Sequence, residues 1–150
     1  MIMYILALLV VLAVAFVGSG SNGFAAFIDI PSVLVSLVLS GALLGVSGLW
    51  KDFLRALKAV LSKENIYTSA ELKKSILAVK LTQQLLIWSG FFGTLIGVVA
   101  MFHYMSDPTN VLPALGVSLL TLLYGTLFAL FLHPMRFRLE SHLVDEEEAS

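Results

Sequence analysis

Most of the chain consists of four long stretches in which apolar residues predominate and no Asp, Glu, Lys or Arg occurs. None of the stretches alternates polar and apolar residues as the strands of a membrane barrel do. A helix needs roughly 20 apolar residues to cross the hydrocarbon layer, and a lone strand there would leave its backbone unpaired. The pattern therefore predicts an all-α integral membrane protein with four transmembrane helices. The predicted spans are 2–18, 30–50, 81–105 and 110–134.

The first stretch is the shortest, and a secretory signal peptide is an alternative interpretation of it. A signal peptide has a positively charged start and a cleavage site between small residues. No Lys or Arg precedes this stretch, and 18–20 extend it without adding charge. We therefore expect it to remain as a membrane helix.

Basic residues are confined to two segments of the chain. Of the nine Lys and Arg residues, seven lie between the second and third spans and two follow the fourth. Because Lys and Arg in short loops mark the cytoplasmic side, both termini and the middle segment are predicted to be cytoplasmic. The two outer loops contain only Asp29 and Asp107 as charged residues.

The middle segment, 51–80, is predicted to extend the second and third spans as a short cytoplasmic helical hairpin. Apolar residues recur there at helical spacing, and Thr68 with Glu71 fits a capping box that starts the second helix. A segment of this length has no room for a folded domain of its own. The chain is therefore predicted to be a single membrane domain, 1–150, whose residues 139–150 form a solvated acidic tail.

Composition supports the membrane class and excludes several functions. Hydrophobic residues make up 59% and charged residues 13%, with a mean hydropathy of +0.96, whereas soluble domains have about 25% charged residues. The net charge of −1 argues against a nucleic-acid partner. Without cysteine there is no thiol catalysis, and no catalytic triad, phosphate loop or zinc motif occurs. We expect no enzyme activity, no cofactor and no metal site.

The predicted spans contain hydroxyl groups but no carboxylate, Lys or Arg, although buried ionisable residues usually mark an ion pathway. Thr94 lies near the middle of the third span and Thr121 near the middle of the fourth, with Thr126 further along. These hydroxyls either bond back to their own helix carbonyls or line a polar path. A line of serines at every fourth position follows the second span, at 32, 36 and 40.

Small residues recur at the spacing that lets two helices approach closely. The pairs are Gly41 with Gly45 in the second span and Gly93 with Gly97 in the third. Such stripes indicate tight packing, either within the chain or between subunits.

Several motifs resemble the MotA/TolQ/ExbB proton-channel family. The segment 27–32, FIDIPS, is similar to the start of the second span in the MotA-like stator subunits of that family. Segments 93–97, 106–108 and 119–125 are similar to its third span, outer loop and fourth span. The motif residues that match are Phe27, Asp29, Pro31 and Pro134.

The resemblance implies a homopentameric ring in the bacterial cytoplasmic (inner) membrane, around a dimer of a single-span partner of the MotB/TolR/ExbD type. H⁺ or Na⁺ would pass between the membrane aspartate of the partner and hydroxyls on the third and fourth spans. Thr94 matches the third-span threonine of the family. The fourth-span position falls on Leu122 counted from Gly125 and on Thr121 counted from Pro134. We favour Thr121, because leucine would leave the ion without a ligand, and keep Thr126 as the alternative.

Two departures from the family pattern bear on function. Ile87 stands where MotA has a third-span proline, and 51–80 replaces a substantial cytoplasmic domain that contacts the flagellar rotor. We therefore expect a stator-like motor whose output reaches the cell envelope through its partner. The alternatives are a non-conducting membrane scaffold, with Thr94 and Thr121 bonded to their own backbones, and a small secondary transporter.

Overall fold

The computed structural model describes residues 27–61, 67–104 and 108–149, and also the single residues Val10 and Ala13. The predicted first span, most of the turn after 61 and the outer loop at Asp107 therefore lie outside the described residues. Every element of the described part is helical, as predicted. The helices are α1 (Ile30–Val46), α2 (Trp50–Leu61), α3 (Ser69–Tyr104), a 3₁₀ turn (Pro108–Asn110) and α4 (Val111–Ala149).

In the described part of the chain, two helices are long and apolar enough to cross a membrane by themselves. They cover Ser69–His103 and Val111–Glu148, each with a mean hydropathy of 2.1 over its most apolar window. The helices α1 and α2 would supply a third crossing if they counted as one bent span. The architecture is therefore that of a helical membrane protein.

The start of α1 explains part of the FIDIPS motif. The Oδ2 atom of Asp29 accepts a hydrogen bond from the Ser32 backbone N–H at 3.0 Å, which caps the helix. Pro31 lies in the first turn, where a missing N–H costs nothing. The Tyr124 hydroxyl of α4 donates to the Phe27 carbonyl and accepts from the Asp29 N–H at 3.1 Å. The motif thus both starts α1 and fastens it to α4.

The end of α1 differs from the predicted span at 30–50. The helix ends at Val46, and Gly48 then adopts a φ of +75°, a conformation that glycine tolerates best. The chain turns by 113° into α2. Because of this turn, α2 runs at an angle to α1 and does not continue it as one straight helix.

The helix α2 packs one side against the first part of α3 and the last part of α4. Its small buried residues join apolar side chains of both helices. The members of this cluster are Ala56, Ala59, Val60, Leu72, Val79, Met135 and Leu139. At the edge, Arg55 pairs with Asp52 at 2.6 Å and lies 3.8 Å from Glu71. The helix α2 thus packs against the two long helices.

The helix α3 begins at the predicted capping pattern and continues without a break into the predicted third span. The Thr68 N–H and hydroxyl donate to Glu71 Oε2 at 3.2 and 3.1 Å. The acidic tail is helical, since α4 runs through Pro134 to Ala149, and Asp145, Glu147 and Glu148 are exposed in it. An ion pair of 2.8 Å between Lys73 Nζ and Glu147 Oε1 joins it to the start of α3.

The backbones of α3 and α4 touch where two glycines face each other. A Cβ placed on Gly125 would lie 3.0 Å from the Gly90 Cα and would collide with the Leu86 carbonyl oxygen. A Cβ on Gly90 would lie 2.9 Å from the Thr121 carbonyl oxygen. Only glycine fits at this crossing, which sets the distance between the two helices.

This contact predicts that Gly125→Ala destabilises the bundle, by about 1–3 kcal/mol if the helices separate to make room. Thermal unfolding in detergent, followed by circular dichroism at the helix band, measures the effect. Gly116→Ala on the same helix is the matched control, since a Cβ there meets no described atom within 4 Å. Equal stability of the two variants would contradict the close crossing.

Candidate functional site

Serine and threonine side chains from three helices meet where α1, α3 and α4 pack together. We call this group the hydroxyl seam. Its members are Ser32, Ser36 and Ser40 of α1, Ser89 and Thr94 of α3, and Ser118 and Thr121 of α4. Their exposed fractions lie between 0% and 8%, so the seam is an interior feature of one chain.

Thr94 connects α3 to α4. Its Oγ1 donates a hydrogen bond to the Ser118 carbonyl oxygen at 2.9 Å. Gly97, one turn further along α3, makes this contact possible, because a Cβ there would lie 2.6 Å from the Ser118 hydroxyl. The Ser118 hydroxyl itself donates to the Ala114 carbonyl of its own helix at 3.0 Å.

Thr121 connects α4 to α1. Its Oγ1 donates to the Ser32 hydroxyl at 3.0 Å, and its carbonyl accepts from the Ser36 hydroxyl at 3.1 Å. The methyl group of Thr121 fills the space beside Gly93, where a Cβ would lie 2.6 Å from it and 3.0 Å from Val35. Thr121 therefore lies at the contact of all three helices.

A single carbonyl of α1 completes the seam. The Ser36 carbonyl oxygen accepts hydrogen bonds from the Ser89 hydroxyl at 3.1 Å and from the Ser40 hydroxyl. Ser89 also donates to the Leu86 carbonyl at 3.0 Å. The three helices are thus joined by hydroxyl-to-carbonyl bonds, the kind of polar contact that stabilises helices in lipid.

Thr126 does not join the seam. Its side chain is exposed, and its Oγ1 donates to the Leu122 and Leu123 carbonyls of its own helix, both at 2.9 Å. It lies where two surface grooves along α4 meet, of about 850 and 340 Å³. The smaller groove also contains His133 and Lys80. Among the three predicted path threonines, Thr126 alone is accessible without moving a helix.

The predicted glycine pairs behave differently from each other. Gly93 and Gly97 face α4 closely, as described above. A Cβ on Gly45 would meet no described atom within 4 Å, and one on Gly41 would meet only Trp50, at 3.9 Å. The second-span pair is therefore not used for close packing within the described part of the chain.

The seam offers oxygen ligands to a cation or to water, but it contains no group that takes up a proton near neutral pH. Hydroxyl and carbonyl oxygens have lone pairs for Na⁺ or for hydrogen-bonded water, and they do not titrate near neutral pH. One carboxylate adjoins the seam, that of Asp29 at the cap of α1. In the described part of the chain, no three His, Asp or Glu residues form a group that could hold a metal ion.

Sequence reasoning found Thr94 and Thr121 but missed how they are connected. The serine line at 32, 36 and 40 was the available signal, since its members share one face of a helix. The facing pair Gly90 and Gly125 was also missed, although Gly90 precedes Gly93 by three residues and so extends the glycine stripe of the third span. The hydrogen bonds of the Tyr124 hydroxyl with the backbone of Phe27 and Asp29 were also missed.

Comparisons with known proteins identify the family of the chain. The model of the MotA/TolQ/ExbB proton channel family matches residues 51–149. Motility protein A of Cereibacter sphaeroides is 48% identical over 58 residues, 38% of this chain and 23% of that protein. Motility protein A of Aquifex aeolicus is 30% identical over 87 residues, 52% of this chain and 34% of that protein. Chemotaxis protein PomA of Vibrio alginolyticus is 50% identical over 40 residues, 27% of this chain and 16% of that protein.

The chain therefore spans about a third or less of the length of these curated relatives, with coverage from 16% to 34%. The family match, by contrast, covers most of this chain and includes α2, α3 and α4. The resemblance noted in the sequence is confirmed. The chain belongs to the MotA/TolQ/ExbB proton channel family, as a MotA-like member of it.

Proposed function

We propose that the chain is the ring subunit of a motor driven by an H⁺ or Na⁺ gradient across the bacterial inner membrane. It is a multi-pass protein with four spans and cytoplasmic termini, and five copies surround a dimer of a MotB/ExbD-like single-span partner. The membrane aspartate of the partner carries the ion. The observation that carries this proposal is a hydroxyl seam inside spans that have no acid or base, in a chain of this family.

The chemistry of the seam supports an ion pathway in which this chain supplies the oxygen ligands and the partner supplies the charge. An ion that crosses the hydrocarbon layer needs both a compensating charge and oxygen ligands, because a bare charge in a medium of low dielectric is very costly. The seam offers oxygens, and the partner offers the charge. Thr94 Oγ1 and Thr121 Oγ1 each use their hydrogen in a bond to another helix, which leaves their lone pairs for an incoming cation.

Burial of the seam implies that the pathway is gated. An ion reaches Thr94 or Thr121 when the bonds to Ser118 and Ser32 open, which requires α4 to shift against its neighbours. The glycine contact at Gly90 allows such sliding, because no side chain interlocks there. Thr126 on the open face gives the partner a first hydroxyl contact before the seam opens.

Two features support assembly into a ring. Gly41 and Gly45 have no close helix neighbour in the described part of the chain. The helix α3 also exposes large apolar side chains, among them Trp88, Phe92 and Phe102 with exposed fractions of 66%, 54% and 75%. Neighbouring copies and lipid together cover these surfaces.

The output of the motor is proposed to reach the cell envelope through the partner. The chain between α1 and α3 forms α2 and packs back onto the bundle, so this segment supplies no separate domain for a cytoplasmic rotor. The relatives are motility proteins, but at most 34% of their length aligns with this chain.

Deletion of the gene tests the proposal: envelope integrity should fall while swimming speed is unchanged, and the opposite result would reassign the output to motility.

A non-conducting scaffold is the second candidate, and one observation favours it. Four hydroxyl bonds of the seam join two helices, so the seam would serve a structural role equally well. The simple scaffold expectation, in which Thr94 and Thr121 bond to their own backbones, does not describe the two bonds present. A measurement of ion flux therefore distinguishes the motor subunit from the scaffold.

We predict that Thr94→Val and Thr121→Val each reduce ion flux by about 10- to 100-fold, the equivalent of one hydrogen bond to a charged group. The complex with its single-span partner is reconstituted in vesicles, and H⁺ or Na⁺ uptake is followed with an indicator dye. Thr82→Val is the matched control, because this buried threonine bonds only to the Ala78 carbonyl of its own helix, at 2.8 Å. Full flux in both path variants would exclude these residues from the pathway.

We also predict that Thr121 and Ser32 are energetically coupled. In a double-mutant cycle of Thr121→Val and Ser32→Ala, unfolding in detergent should give a coupling of about 0.5–1.5 kcal/mol, as for one buried hydrogen bond. The pair Thr126→Val and Ser32→Ala should be additive, because Thr126 bonds within its own helix. Additivity of both pairs would mean that the contact between α4 and α1 does not form.

The ring proposal predicts the composition of the purified complex. Native mass spectrometry of the complex, released from detergent, should give five copies of this chain with two of the partner. The same measurement on Gly45→Leu should show fewer intact rings, since a large side chain would occupy the open glycine face. A monomeric four-helix unit without a partner would contradict the motor proposal.

A further inference from the structure

The helix α2 carries a second apolar surface besides the one buried in the bundle. The residues of this surface recur at helical spacing and remain exposed. They are Trp50, Leu54, Leu57 and Leu61, with exposed fractions of 46%, 42%, 36% and 77%. We call this surface the apolar ridge of α2.

Lysines border the apolar ridge on one side. Successive residues of a helix are rotated by about 100°, which places Lys51 and Lys58 together, next to the ridge and away from the buried side. Neither lysine has an ion-pair partner among the described residues, whereas Arg55 on the far edge is paired with Asp52. Around its axis, α2 therefore has a buried apolar side, an exposed apolar side and a cationic side.

The position of α2 indicates what covers the ridge. α2 starts at Trp50, only four positions after the end of α1, and runs at 113° to it, which is across the direction of the membrane spans. Leu43 and Val46 at the end of α1 are exposed as well, at 44% and 87%, so the ridge continues an apolar membrane surface. The indole of Trp50 lies beside Gly41 of α1, on the membrane side of the turn.

We propose that α2 is an interfacial helix that binds the anionic phospholipids of the cytoplasmic leaflet. The apolar ridge lies in the outer part of the acyl chains, and Lys51 and Lys58 bind phosphates of the headgroups. This arrangement matches the known requirements of helices that lie in the membrane surface, which have an apolar face, a basic polar face and an aromatic residue at the boundary. The attraction of lysines for the negative inner leaflet adds to the burial of the ridge.

Lipid is favoured over a second copy of the chain as the occupant. A protein partner for this surface would need to combine carboxylates for Lys51 and Lys58 with an apolar strip for the ridge, whereas an anionic phospholipid has both in one molecule. Lipid phosphates supply that charge wherever the turn after α1 reaches the membrane surface. The ridge is also narrow, with one row of side chains, which suits insertion among acyl chains.

The first test measures the depth of Trp50. The full-length chain with Trp88→Phe has Trp50 as its only tryptophan, because the sequence contains two. It is reconstituted in vesicles of equal parts phosphatidylcholine and phosphatidylglycerol, with nitroxide labels near the headgroup or near the end of the acyl chain. We expect the shallow label to quench Trp50 about twofold more than the deep label, as for a helix 5–10 Å below the surface, and aqueous iodide to have little effect.

Two results would overturn the proposal. Strong quenching by iodide would mean that the ridge lies in water, and protection from both iodide and lipid labels would mean that protein covers it. If Trp88→Phe disturbs the helix content, Trp50→Phe gives the Trp88 signal, which is subtracted from that of the unmodified chain. The depth of Trp50 is therefore measurable in either background.

The second test measures the role of the lysines. With nitroxide on the headgroup, labelled phosphatidylglycerol should quench Trp50 about twofold more than labelled phosphatidylcholine, reflecting local enrichment of the anionic lipid. The variant Lys51→Gln with Lys58→Gln should lose this difference. Lys73→Gln with Lys74→Gln removes the same charge from the start of α3 and should keep it. If both variants lose the difference in quenching between the two lipids, the net charge of the whole chain attracts the anionic lipid. That result would overturn the assignment to α2.

Discussion

The contact between the backbones of α3 and α4 is the constraint on which the remaining structure depends. Gly90 and Gly125 face each other with no side chain between them, and this brings the helices close enough for Thr94 to bond to the Ser118 carbonyl. The same proximity places Thr121 against Gly93, where it also reaches Ser32 of α1. Helices in lipid gain little from the hydrophobic effect against each other, so close packing and hydrogen bonds hold them together. The hydroxyl seam thus depends on the close approach that these two glycines allow.

The predicted spans contain no charged residue, and this gives the hydroxyl groups at the contact of α1, α3 and α4 their proposed role. A carboxylate at the same depth would cost several kcal/mol in a chain that had no partner to compensate it. Hydroxyls avoid that cost, because each can satisfy itself within the chain and still offer lone pairs to a cation. Under the proposed function, such a subunit keeps charge out of its own spans and a second protein completes the ion pathway. The structure of the seam and the family of the chain therefore support the same division of roles.

The sequence predicted the helical class and the resemblance to the family. It also predicted two helix starts correctly. Asp29 and Pro31 start α1, and Thr68 with Glu71 marks the start of α3, because caps depend on residues within one turn. Contacts between helices were not predicted, since one sequence does not specify which faces meet. The end of α1 was placed too late for a related reason: residues 47–49 are uncharged and read as part of the span, although Gly48 turns the backbone there.

The turn after α1 links the membrane part of the molecule to its surface part. A helix that continued straight would have carried Trp50 and Leu54 into water, where an exposed apolar row is unfavourable. The turn instead lets α2 bury one side in the bundle through Ala56 and Ala59, while its other apolar side stays exposed. Under the proposal for α2, the two apolar sides of this amphipathic segment face two apolar environments, protein and lipid.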